Sequence, residues 1–340
     1  MAILIGTDEA GYGPKLGPLT VCGTSWTCED PEADLYQLLE SIVCNRRDPD
    51  KLAICDSKQI YSPSGSIKTL ESTVMTVLYG LYGAIPENSS QLGGMLGIDL
   101  ELASICGIAG GMRGKGKGKG RPRRKPEGQG SGPPISLPLV ADPIEIKLMA
   151  ARWLTVCDQR QVYLDGVSAR AVSPQQFNLQ IANFGNKAEL LSGTTFGIIK
   201  QLLQAVAEKG KPLETKIVCD KHGGRSKYLG MISHYLTDQF VAVETESRAV
   251  SSYSWREQEN RFQIQFQTGG ESFLPTALSS MIAKYVREVS MEIWNSFWIS
   301  LLPEIRPTRG YPVDARRFKD QIAGAQNELG IEDETIWRSR

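Results

Sequence analysis

The sequence predicts an α/β fold, with one mixed central sheet and helices packed against its faces. Two observations carry this. Short apolar or β-branched runs alternate along the chain with longer segments of helical periodicity, in the order strand, strand, helix, strand, helix, strand, then strand and helix. Apolar residues make up 41% of 340 positions, enough to bury a large core in a single elaborated domain. No internal repeat is visible.

The first strand is expected at residues 2–7, an apolar run stopped by Asp8-Glu9. Gly6, Gly11, Gly13 and Gly17 surround these acids, so the strand should end in a glycine-rich turn. Residues 19–26 form the returning strand. Residues 67–82 have helical spacing, with Leu70, Val74, Val77, Leu78 and Leu81 on one side. Helical spacing recurs over 144–154 and 188–208, the second closed by Gly210. Residues 161–172 suit a strand followed by a Ser-Pro turn. Residues 215–219 form a short β-branched strand stopped by Asp220. A helix over 228–236, an alternating strand over 240–245 and an edge strand or hairpin over 261–267 follow. The clearest helix spans 277–298, with Leu278, Met281, Ile282, Tyr285, Val289, Ile293 and Phe297 as its apolar stripe. The catalytic domain is expected over 1–320, with a weakly helical tail over 321–340.

Composition breaks at 107–134. Eight Lys and Arg fall between Arg113 and Lys125 without an acid among them, interleaved with Gly and Pro. Like charges repel and these residues resist regular structure, so a disordered insertion is expected. It could hold phosphates through counterion release, or serve only to solubilise. A further insertion is expected at about 249–270.

Lys+Arg and Asp+Glu both total 38, so net charge does not itself argue for a nucleic-acid partner. The seven cysteines are odd in number, scattered, and lack any C-x-x-C pair. That disfavours zinc ligation and a secreted disulfide framework, and fits reduced thiols in the cytoplasm. No signal peptide and no run of 18 apolar residues is present, so a membrane partner is not expected.

Asp8-Glu9 ends a buried strand, and two close carboxylates repel unless a cation neutralises them. Hard oxygen ligands favour Mg2+ or Mn2+. By itself such a pair also suits a solvated turn. Asp220 ends a second strand and is followed by Gly223-Gly224, with Lys221 and Arg225 nearby, a pattern suited to a phosphate beside a metal ligand. Ser280, Lys284 and Glu288, spaced i, i+4, i+8, share one helical face at the margin of the apolar stripe. His222 is one of two histidines and a weak candidate for proton transfer.

These residues resemble the type 2 RNase H family, ribonuclease HII/HIII. Residues 6–18, GTDEAGYGPKLGP, resemble its opening D-E-A-G-R-G-P signature and the following G-P. Asp56-Ser57-Lys58 resembles its D-S-K turn, residues 280–288 (SMIAKYVRE) its S-I-I-A-K-x-x-R-D helix, and Gly310-Tyr311-Pro312 its G-Y-P turn. The four matches follow the family's order; the first and third are the specific ones.

The resemblance implies an RNase H-like fold and a metal-dependent endoribonuclease. Such an enzyme would cut the RNA strand of RNA–DNA hybrids, or DNA containing ribonucleotides, leaving 5′-phosphate and 3′-hydroxyl ends. It implies that Asp8, Glu9 and Glu288 are metal-binding carboxylates for two Mg2+ or Mn2+ ions. Asp220 fits the remaining place and Asp165, in VYLDG, is the rival. Gly11, Tyr12 and Gly13 would face the ribose 2′-hydroxyl. Ser57, Lys58, Ser280 and Lys284 would line the phosphates, and Tyr311 would pack on a sugar. A monomer is expected. Two residues depart from the pattern. Tyr12 replaces the family's arginine, so stacking on a sugar or base is expected there. Glu288 replaces the commoner aspartate, as the HIII branch tolerates. An HIII-type N-terminal domain is not expected, because the acid-bearing strand begins at residue 3. Alternatives left open are an RNase H-fold nuclease acting on DNA structures and a catalytically silent nucleic-acid-binding module.

Overall fold

A computed structural model describes residues 1–61, 66–106, 108, 134–207 and 214–339. Nearly all of the basic segment expected over 107–134 lies outside the described residues. In chain order the first half contains β1 (Ala2–Ala10), β2 (Leu19–Cys28), α1 (Leu35–Leu38), β3 (Val43–Cys44), β4 (Leu52–Ala53), α2 (Ser57–Ile60), α3 (Lys68–Tyr82), α4 (Ser89–Leu96), α5 (Leu102–Cys106) and α6 (Pro143–Arg160). The second half contains β5 (Tyr163–Val172), α7 (Pro174–Phe184), α8 (Lys187–Ala207), β6 (Glu214–Asp220), α9 (Leu229–Tyr235), β7 (Ala242–Glu246), β8 (Val250–Glu257), β9 (Asn260–Gln267), α10 (Leu274–Leu301), α11 (Pro312–Leu329) and α12 (Asp333–Ile336).

Seven strands form one mixed sheet in the order β5-β2-β1-β6-β9-β8-β7. β2 runs antiparallel to β1 and β5 antiparallel to β2, while β6 is parallel to β1 and β9 parallel to β6. This is the mixed central sheet with flanking helices that the sequence predicts. Both faces of β1 are covered, which is why it reads as an unbroken apolar run rather than an alternating one. Ile3 and Ile5 enter a core shared with α8 and α9, and Leu4 enters the core beneath α3 and α10.

The 249–270 segment, expected as an insertion, supplies β8 and β9. Tyr253, Trp255, Ile264 and Phe266 alternate into the core while the serines and glutamines between them stay on the other face. The Ser-Pro turn expected after β5 is instead a helix start. Ser173 Oγ accepts from the Gln176 amide, Gln176 answers to the Ser173 amide, and Pro174 occupies the first turn of α7. The weak tail helix is a continuous 18-residue α11 that crosses the boundary expected at residue 320.

α10 lies unusually close to the sheet. A Cβ on Gly6 would fall 2.1 Å from the Thr276 nitrogen and 2.2 Å from the Pro275 carbonyl carbon. Hydroxyls fasten the contact: Ser279 Oγ donates to Gly6 O at 2.9 Å, Thr276 Oγ1 to Val218 O at 2.8 Å and Thr20 Oγ1 to Ala283 O at 2.8 Å. This closeness carries Ser280 to Asp8.

Glu71 of α3 is fully buried and holds the chain on its return from the basic segment. Its carboxylate accepts the amides of Leu139, Val140 and Ala141 at 2.6, 2.7 and 2.8 Å and the Tyr285 hydroxyl at 2.7 Å. A glutamine there would turn a donor toward donors. Glu71→Gln is expected to cost about 2–4 kcal/mol, read as a lowered urea midpoint. An unchanged midpoint would contradict this anchoring role.

Candidate active site

Parallel pairing sets the site. Thr7 of β1 is level with Cys219 of β6, where their pairing stops, so the next residue of each strand, Asp8 and Asp220, lies at the same end of the parallel pair. Asp8 is 7% exposed, and its Oδ1 accepts the Glu9 amide at 2.8 Å. Burial, then the charges of Glu9 and Asp220, hold Asp8 well above the ordinary carboxylate range, even though Ser280 hydrogen-bonds to it. Burial and the Asp220 charge push Glu9 up to about 7. Three acids therefore oppose one another, Asp8 buried and Glu9 and Asp220 half-buried.

Asp165 lies elsewhere. It sits on β5, two strands away, and its Oδ2 accepts from Thr27 Oγ1 at 2.6 Å. Thr27 is level with Ile3, at the opposite end of β1 from Asp8.

Residues 56–58 close the other side of the corner. Asp56 caps α2, accepting the Lys58 amide at 3.0 Å. Ser57 Oγ is 3.5 Å from Ser280 Oγ, so the D-S-K turn and α10 meet beside Asp8. Burial alone would lower the Lys58 pKa, but Asp56, Glu271, Asp8 and Asp220 together raise it. Lys58 is thus a cation facing the whole acidic group. Glu271, a residue the sequence does not signal, adds a carboxylate whose pKa burial and the Asp220 charge raise.

Glu288 stands apart from the three strand-end acids. It is 2% exposed, and its Oε1 receives Lys284 Nζ at 2.6 Å. Its Oε2 receives Arg309 Nη1 at 2.6 Å and the Tyr61 hydroxyl at 2.8 Å. Burial would raise its pKa, but Lys284, Arg309 and Tyr61 hold it below the usual range. A group with a depressed folded pKa stabilises above its unfolded pKa, and that stability is lost as pH falls through the folded value. Glu288→Gln is expected to cost about 1–3 kcal/mol at pH 7, because it leaves the partly buried Lys284 and Arg309 unmatched. The deficit should shrink below about pH 4. Melting curves at the two pH values check this, and equal deficits would contradict it.

The glycine-rich turn sits beside the acids. Gly11 and Gly17 adopt positive φ of 83° and 74°, open to glycine without strain. Gly13 is exposed with open space about it. Tyr12 is half-buried between Glu9 and Arg225, and burial with the Glu9 charge raises its pKa. Gly310 packs on Leu16 and accepts the Lys15 amide at 2.9 Å, which brings the G-Y-P turn against the glycine turn. Tyr311 is exposed at the start of α11. His222 is a core residue. It is fully buried, its Nδ1 is 2.9 Å from Ser192 Oγ, and burial lowers its pKa to about 3, which leaves it neutral.

The acids fit a hard divalent cation by their chemistry: all donors are oxygens, and their mutual repulsion within a buried corner is what a cation would relieve. Among the described residues, no group of three His, Cys, Asp or Glu side chains is drawn tightly enough to chelate an ion as it stands. Glu288 is held by Lys284 and Arg309. A cavity of about 820 Å³, lined by Glu214, Lys216, Trp255, Arg261 and Phe262 among others, opens at the start of β6. Six residues of strand, about 20 Å, separate it from Asp220.

No family model matches the chain, and no curated protein matches it. Among solved structures, the chain is similar to the PCNA:RNase HII complex from Archaeoglobus fulgidus at 15% identity and TM-score 0.45, covering 99% of this chain and 94% of that one. It is similar to ribonuclease H2 from Pyrococcus horikoshii at 13% identity and TM-score 0.45, covering 98% and 92%. It is also similar to Bst-RNase HIII in complex with Mn2+ at 13% identity and TM-score 0.41, covering 99% of this chain and 66% of that one. At these values the likeness assigns no activity, and what the site does has to follow from its own residues.

Proposed function

We propose that this chain is a metal-dependent endoribonuclease that hydrolyses RNA paired to DNA, either in hybrid duplexes or as ribonucleotides embedded in DNA. The observation that carries this is the gathering of Asp8, Glu9 and Asp220 at one end of a parallel strand pair, Asp8 buried and the other two half-buried, where their charges oppose one another. Asp8, Glu9, Asp220 and, from α10, Glu288 would hold Mg2+ or Mn2+. Held there, divalent cations supply Lewis-acid polarisation of the phosphate and a more acidic attacking water.

The remaining residues bind and orient. Lys58 and Lys284 carry the cationic charge nearest the acids and would meet phosphate oxygens, with Ser57 and Ser280 as hydroxyl partners. Lys284 is released for this role if Glu288 turns from its cations to a metal. The Gly11-Tyr12-Gly13 backbone would face the ribose 2′-hydroxyl, the group that separates RNA from DNA. Tyr12 and Tyr311 would pack against sugar or base. The seven cysteines are all unpaired, in keeping with a reducing compartment such as the cytoplasm. Among the described residues no helix is long and apolar enough to cross a membrane.

End-group analysis of hybrid digested in Mn2+ and in Mg2+ tests this. RNA fragments with 5′-phosphate and 3′-hydroxyl ends are expected. Cyclic phosphate or 3′-phosphate ends would contradict it, because they mark attack by the 2′-hydroxyl rather than by water.

A further inference from the structure

The glycine turn is held from beneath by a residue 327 positions away in sequence. Arg338 is 2% exposed. Its Nη1 donates to Gly11 O, its Nη2 donates to Gly17 O at 2.6 Å, and its backbone amide donates to Lys15 O at 3.0 Å. The guanidinium lies 4.7 Å from the centre of the Phe177 ring. No carboxylate pairs with it among the described residues, so carbonyl oxygens and a ring face are what meet its charge. A buried cation matched this way is costly, and a leucine or methionine would fill the space more cheaply if packing were the whole task.

The segment that carries Arg338 is itself tied down. Asn178 of α7 donates through Nδ2 to Glu334 O at 2.9 Å and to Trp337 O at 2.7 Å, and its Oδ1 accepts the Ser339 amide at 2.8 Å. A second buried arginine, Arg287 of α10, grips the neighbouring carbonyls, donating to Pro18 O at 2.8 Å, Leu16 O at 3.2 Å and Arg309 O at 3.1 Å.

The consequence follows from peptide geometry. In a trans peptide the C=O of one residue and the N–H of the next point in opposite directions. With the Gly11 carbonyl drawn inward to Arg338, the Tyr12 amide must point outward, on the side where the turn is exposed. We propose that Arg338 is a positioning residue. By holding the Gly11 and Gly17 carbonyls it fixes the outward aim of the Tyr12 amide at a ribose hydroxyl, and so makes the Trp337–Arg338 segment part of the substrate-reading machinery. The ligand in this statement rests on the hydrolase proposal above; the clamp does not.

Two measurements on the full chain separate them. Hydrogen–deuterium exchange across residues 9–18 reads the clamp with no reference to activity. Arg338→Gln is expected to speed exchange of the turn about tenfold or more while β1 residues 3–7 stay protected. Arg338→Lys should restore part of the protection. In cleavage assays in Mn2+, Arg338→Gln should raise KM and lose about tenfold of the preference for a ribose over a deoxyribose at the cut site, with a smaller change in kcat. Should Arg338→Gln fail to fold, Asn178→Ala frees the segment with the arginine intact and should give the same faster exchange. Turn exchange unchanged in both variants would overturn the proposal, as would a cleavage loss that merely tracks melting temperature. Faster exchange in an enzyme that never cuts hybrid would support the clamp and remove the ligand assigned to it.

Discussion

Asp8→Asn is expected to lower hybrid cleavage by roughly three powers of ten, since in the proposed mechanism several kcal/mol of charge stabilisation would depend on Asp8 as a metal ligand. The same substitution should make the metal-free protein more stable, a combination that a damaged fold cannot produce. The sign follows from the raised pKa values. Burial and neighbouring acids hold Asp8 well above the usual range and Glu9 at about 7. An acid whose folded pKa is raised binds more protons folded than unfolded, so stability falls as pH climbs from the ordinary carboxylate value toward the folded one. Removing the Asp8 charge should therefore raise the melting temperature by a few degrees at pH 8, with about 2–4 °C for each kcal/mol in larger domains. At pH 4 the gain should be small. Mn2+ should raise the wild-type midpoint at pH 8 and leave Asp8→Asn nearly unmoved. A variant that melts lower than wild type at pH 8 without metal would contradict this account of the corner.

The largest stability effect is expected at a residue with no chemistry. Gly6→Ala would place a methyl carbon 2.1 Å from backbone nitrogen of Thr276 and 2.2 Å from backbone carbon of Pro275. Neither atom is the flexible end of a side chain. Relief requires α10 to move off β1, which would break the hydroxyl fastenings of Ser279 and Thr276. The cost is expected to reach about 4 kcal/mol or more, at the extreme end for a single methyl group. Circular dichroism and chemical denaturation of the purified variant check it. A midpoint within error of wild type would mean that α10 does not sit as close as described. Any variant that survives should also lose activity, since α10 carries Ser280 and Glu288.

What the sequence reveals about this chain divides along physical lines. β1, β2, β6 and α10 were legible because each is covered on its apolar faces, and burial writes periodicity directly into the sequence. α7 differs from the expected turn because Ser-Pro serves equally as a turn and as a capped helix start; Gln176, three residues after Ser173, is the signal that separates them. α4 was missed because Gly93 and Gly94 dilute its helical pattern, although the Gly93 position tolerates only a glycine against Ile98 O. The core positions of β8 are legible in Tyr253 and Trp255, which alternate with Ser254.

The site divides in the same way. Acids beside a glycine-rich turn can be read from one dimension, although β1 runs on through Asp8 and Glu9 to Ala10 instead of stopping at Thr7; the strand pairing brings Asp220 to Asp8 while Asp165 lies at the other end of the sheet. The groups that set the charge balance are legible only after the chain closes. Arg309 and Tyr61 reach Glu288 from 21 and 227 positions away, and Arg338 reaches Gly11 from 327. No spacing rule connects such residues, because nothing local holds them together.

The most direct test of the central claim is cleavage of a labelled strand in three matched duplexes: an RNA–DNA hybrid, DNA with one embedded ribonucleotide, and all-DNA. Each is incubated with wild type and with Asp8→Asn in Mn2+ or Mg2+. Metal-dependent cutting at ribonucleotides by wild type, abolished by Asp8→Asn, with the all-DNA duplex left intact, is the predicted result. Cutting of the all-DNA duplex, or equal cutting of hybrid by wild type and Asp8→Asn, would contradict it.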